Sequence, residues 1–186
     1  MFQAIRRDFE RLILPLSDAG VQLAGWDGTG LPEITNELIR FNGVSGCGHA
    51  KNDEIVIPYP AEDAHGIGSS ETAIVGDYFR MGALLQHRAC GGRCSYETFT
   101  LARIKNLSAG DAPDDAGLCG EFVKTAFRPY DIAVTAALLI GKRHLGEDLV
   151  VNSNGADPQW RDAKELCQQA LGYGDWFGGR GFWVGD

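Results

Sequence analysis

The chain has 186 residues, 44% of them hydrophobic and 23% charged, enough to bury a core without disulfides. A net charge of −8 argues against general adhesion to nucleic acid or anionic membranes. Apolar runs break within a few residues, far short of the roughly 20 needed to span a bilayer. The opening stretch carries Asp8 and Glu10 and lacks an h-region or cleavage site, so a signal peptide is not expected. These features predict a cytoplasmic protein with no membrane partner, whose five cysteines stay as thiols in a reducing compartment.

In chain order, Phe2, Ile5, Phe9, Leu12, Ile13 and Leu16 recur at helical spacing and predict an N-terminal helix. Pro15 disfavours helical geometry at Leu14, so that helix should end or kink there. A short apolar stretch, 21–26, leads to the turn Asp27-Gly28-Thr29-Gly30, and residues 37–44 fit a strand or a helix, a strand being preferred. Ile55 to Pro58 and Ala73 to Phe79 suggest two more strands. Residues 82–90 and 94–103 are β-compatible runs around Gly91-Gly92-Arg93, the pattern of a hairpin. That pairing sets Cys90 opposite Cys94, Arg88 opposite Tyr96 and His87 opposite Glu97, although a bulge in the loop would invert the faces.

Leu118 to Ala126 predicts a short helix. Pro129 then opens a longer one ending at Leu145, with Asp131 at its positive end and Lys142, Arg143 and His144 at its negative end. Its middle, Ile132 to Ile140, has no charge on any face, so its neighbours must bury it. A short strand at 149–151 precedes a last helix with Asp157 and Pro158 at its start and Gly172 at its end. Trp160, Ala163, Cys167, Ala170 and Leu171 line one face of it, and Cys167 and Cys119 read as core thiols. The tail, 172–186, holds six glycines and five aromatics and is expected to dock on this chain or on a second copy.

Charge is unevenly spread. Asp53 to Asp77 contains six acidic residues and no Lys or Arg, whereas Arg80 to Lys105 contains five basic residues against Glu97 alone. Solvated faces explain this pattern most simply. The sharper reading is a binding surface made of Arg80, Arg88, Arg93, Arg103 and Tyr96.

Three sets of residues offer chemistry. Cys90 and Cys94, joined by Cys47 and His49, would supply three thiolates and an imidazole, a common zinc set. Their spacing matches no recognised finger, so free thiols capping a hairpin remain the plainer account, and a Cys90–Cys94 disulfide is a third. His87 and Glu97 form the carboxylate–imidazole pair used in general-base catalysis, yet a satisfied structural pair on a half-buried sheet would look the same. Asp53, Glu54, Glu62, Asp63 and His65 read as solvated acidic loops, because no spacing among them matches a known cation loop. No phosphate-binding glycine loop, HExxH or G-x-S-x-G occurs.

TAFRPYDIAVTAALLIGKRHLG, DLVVNSNG and the Trp160 helix ending in LGYG resemble uncharacterised small proteins of bacterial phages and mobile elements, over roughly residues 125–174. The resemblance implies an accessory protein that binds host components, and it carries over no activity and no catalytic residue.

The sequence therefore predicts one α+β domain over 1–186. Its antiparallel sheet contains a central hairpin and is packed by the N-terminal helix and the C-terminal helices, one of them fully buried. The first expectation for function is a non-enzymatic accessory protein binding a protein or other macromolecule, with self-association through the tail as an option. The alternative is a zinc-containing or Cys/His-dependent hydrolase at the 90–94 tip.

Overall fold

The computed structural model describes residues 1–49, 54–55, 88–105, 113, 117–153 and 157–174. Among these residues the architecture is α+β: three α-helices, a four-stranded antiparallel sheet and a separate two-stranded ribbon. No helix among them is long and apolar enough to cross a membrane.

Helix α1 (Phe2–Asp18) buries Ile5, Phe9, Leu12 and Leu16, a single stripe along its length. It does not end at Leu14 but runs on to Asp18. Pro15 lies within its last turn, where its ring costs one hydrogen-bond donor while its carbonyl still accepts from the Ala19 N–H at 3.0 Å.

Strand β3 (Leu38–Gly43) is the spine of the sheet. Strand β1 (Leu23–Ala24) pairs with its Gly43 end and β2 (Glu33–Ile34) with Ile39 and Arg40. Strand β6 (Phe99–Ala102) pairs with Leu38–Phe41. Since β2 and β6 both meet Ile39 and Arg40, they occupy opposite edges of β3. An aromatic stack ties sheet to helix: the Phe9 ring lies on Phe41, and Phe41 on Phe99, each pair with centroids 5.1 Å apart.

The expected 82–103 hairpin is corrected by these pairings. A turn does form after Cys90, closed by Arg93 N–H to the Cys90 carbonyl at 3.2 Å. Its arms then part. Strand β5 (Arg88–Ala89) pairs with β4 (Glu54–Ile55), and β6 joins β3. Each arm gains a longer-range partner, so Arg88 does not face Tyr96.

Helix α2 (Asp131–Leu145) is enclosed as its composition demands. Ile132 to Ile140 are buried except Leu138, which is partly so, and burial extends to Asp131 and Lys142. It packs against α1 and against α3 (Arg161–Leu171), which contributes Ala163, Leu166 and Cys167 to the core. A 3-10 turn at Asp157–Trp160 leads into α3, and Gly172 stops it in the left-handed region.

Three further expectations fail. The strand expected at 149–151 does not form. Leu118 to Ala126 forms no helix, because a neighbouring segment takes its backbone groups: the Lys124 N–H donates to Glu97 Oε2 at 2.6 Å, and the Lys124 carbonyl accepts from the Glu97 N–H. Cys119 is accordingly half-buried rather than a core thiol.

Candidate metal centre

Two chain reversals create the site. Strand β3 ends at Gly43, and the following loop carries Cys47 and His49 on either side of Gly48, whose φ of +77° turns the chain back. Strand β5 ends before Cys90, and the glycine turn returns the chain to Cys94. The Cys94 N–H donates to the Val44 carbonyl at 3.0 Å, which fastens one reversal to the other. Ser45 anchors the first loop, its N–H and hydroxyl both donating to the Gly28 carbonyl.

The ligand atoms of Cys47, His49, Cys90 and Cys94 consequently lie within 4.8 Å of one another. Cys47 Sγ is 3.3 Å from Cys90 Sγ, Cys90 Sγ is 3.6 Å from Cys94 Sγ, and Cys94 Sγ is 3.4 Å from His49 Nδ1. A tetrahedral zinc ion with ordinary bond lengths sets its ligands about 3.5–3.8 Å apart. Those three separations lie at or just below this range and none of the others exceeds 4.8 Å, so small shifts would seat an ion between the four donors. Cys90 and Cys94 are buried, Cys47 is half-buried and His49 is exposed. The Arg128 guanidinium donates to the Cys90 carbonyl and fills the space beside Gly91, where a Cβ would collide with it.

The thiols differ in acidity. Burial opposes ionisation of Cys47, but hydrogen bonds from the His49 N–H, Cys90 and Cys94 bring it down to about 6. Burial pushes Cys90 and Cys94 up; the Cys47 sulfur pushes both further and Cys90 adds to the rise of Cys94, whereas the bond from Cys94 partly offsets the rise of Cys90. One thiolate is thus favoured and further ones are opposed by desolvation and mutual repulsion, which a divalent cation at the centre relieves.

The other candidate residues are scattered. Arg88 is fully buried, its guanidinium bonded to Asp162 and to Asp131 and lying 4.9 Å over the Phe127 ring. It is therefore no part of an exposed basic surface. Arg103 pairs with Glu37 at 2.6 Å, while Arg93 and Tyr96 are exposed. Glu97 uses its carboxylate on the Lys124 N–H. Arg80 and His87, the strand expected at 73–79, the acidic residues Asp53, Glu62 and Asp63, and His65 lie outside the described residues, as does the tail beyond Gly174.

Sequence reasoning found all four cluster residues but missed what braces them, namely Arg128 and the pair of carboxylates around Arg88. Only Gly91 beside Cys90 hinted at a close approach, and it named no partner. No protein-family model matches the chain, and no curated protein or solved structure is significantly similar to it.

Proposed function

We propose that this is a zinc-binding protein in which Cys47, His49, Cys90 and Cys94 hold a structural ion that clamps the loop after β3 to the turn after β5. One observation carries the reading: four soft and borderline donors, from segments about forty residues apart, converge within 4.8 Å. Three thiolates and an imidazole complete a tetrahedral shell. A catalytic zinc keeps one position for water, so a closed set favours a structural role and a non-enzymatic protein over a Cys/His hydrolase. An accessory protein whose task is to bind another macromolecule is the setting that best suits such a clamp.

Elemental analysis of the purified full chain tests this directly. One zinc per chain with a three-sulfur, one-nitrogen shell by X-ray absorption is the expected result. Substoichiometric metal with all four residues intact, after reduction and reconstitution with zinc, would sink the proposal.

A further inference from the structure

The same cluster has an asymmetry that a purely structural ion does not require. Cys47 is half-buried and reachable from solvent, whereas Cys90 is 0% and Cys94 7% exposed. Directly behind Cys47, at 3.3 Å, stands the Cys90 sulfur, closer than the 3.6 Å between Cys90 and Cys94. A disulfide needs about 2 Å between sulfurs. Closing the Cys47–Cys90 gap therefore takes a shift of little more than about 1 Å. Cys47 lies in a loop outside any helix or strand, while Cys90 follows a strand held by Arg88 and has its own carbonyl held by Arg128.

We propose that Cys47 and Cys90 are a site of reversible oxidative modification, with Cys47 the thiol attacked and Cys90 the thiol that resolves it. The oxidant is a hydroperoxide. The Cys47 sulfur attacks one peroxide oxygen, the O–O bond breaks, and the other oxygen leaves as water (or as an alcohol from an organic peroxide) after taking a proton; Cys47 becomes a sulfenic acid. The Cys90 sulfur then attacks the Cys47 sulfur. The S–O bond breaks, the Cys90 proton departs with the hydroxide as water, and a disulfide remains. The two thiols have together lost two electrons and the peroxide has gained them. Only Cys94 and His49 then remain as donors, too few to retain zinc against competing ligands. The metal-release arm of this inference rests on the zinc reading above, whereas the disulfide itself does not.

The test uses the reduced full chain treated with hydrogen peroxide, followed by alkylation and peptide mapping, with zinc release followed by a chromogenic chelator. The expected product is a Cys47–Cys90 link with Cys94 still alkylated, reversed by dithiothreitol, and with zinc released in step with the loss of two thiols. A Cys90–Cys94 link, or Cys47 oxidised to sulfinic acid while Cys90 stays alkylatable, overturns the proposal. Cys94→Ser, checked by circular dichroism for retained fold, should still form the link. Its failure to do so while folded would also overturn it. Should the chain carry no zinc, the zinc reading fails and the mapping still decides the disulfide.

Discussion

The Arg88 guanidinium, wholly shielded from solvent, is shared between the carboxylates of Asp162 on α3 and Asp131 at the start of α2. Two residues before Cys90, this contact fastens the strand that leads into half of the candidate metal cluster to the helical core. Burial pushes Asp131 up in spite of the facing guanidinium, so the arrangement depends on its full complement of partners.

Arg88→Met should destabilise the protein by about 3–5 kcal/mol in chemical denaturation, because it removes the guanidinium that two buried carboxylates share. Arg88→Lys should recover little, since one ammonium nitrogen cannot stand where two separate guanidinium nitrogens meet the two carboxylates, nor offer a planar face to the Phe127 ring. Equal stability of Arg88→Lys and the wild type would refute this account of the contact.

Zinc removal with a chelator should lower the unfolding midpoint. Where free zinc stands a thousandfold above its Kd, binding to the folded state alone contributes about 4 kcal/mol. Cys94→Ala should show the lowered midpoint without chelator and no further drop with it, a comparison read by thermal melts at several zinc concentrations.

Gly43→Ala should weaken both stability and metal retention. A Cβ there would stand 2.6 Å from the Cys94 carbonyl carbon and 3.1 Å from Tyr130 Cδ1, and backbone cannot yield as a flexible side chain can. About 1–3 kcal/mol is expected in urea melts, with faster zinc loss to a competing chelator.

Acid should loosen the junction of α1 with the C-terminal segment. Asp8 Oδ2 accepts from His144 Nε2 at 2.7 Å and from the Tyr173 hydroxyl at 2.6 Å. Burial would raise the Asp8 carboxyl, but these two bonds hold it below the ordinary 3.8. A depressed carboxylate contributes stability that is whole above its unfolded value and lost as the pH falls through its lower folded value. Asp8→Asn should therefore cost about 1 kcal/mol near neutrality and flatten the acid limb of the stability profile below about pH 4. An unchanged acid limb would exclude this role.

Ile140→Ala should cost about 2–5 kcal/mol, as it opens a cavity in a helix enclosed on all sides. Leu14→Ala, at a position 69% exposed, should change stability by less than about 0.5 kcal/mol.

Local pattern was enough to determine several features. The uncharged run from Ile132 to Ile140 demanded burial, and the stripe from Ile5 to Leu16 demanded an amphipathic helix, whereas 37–44 fitted strand or helix and only pairing made it the central strand. Periodicity is a short-range property that survives in almost any fold consistent with it. The donor types of Cys47, His49, Cys90 and Cys94 were equally plain, since thiol and imidazole are written in the residue names.

Tertiary structure decided which groups meet. Gly91-Gly92 suits a hairpin and a ligand turn alike, and long-range pairing of β5 with β4 and of β6 with β3 chose between them. Arg88 looked like one member of a basic surface until two distant carboxylates enclosed it. His144 matched its helix dipole, yet its partner Asp8 lies 136 positions away. Contacts of that separation depend on the packing of whole elements, and no local spacing encodes them. The convergence of the four cluster residues is of the same kind: the sequence determined the donors, and only the packed fold brought them within reach of a single ion.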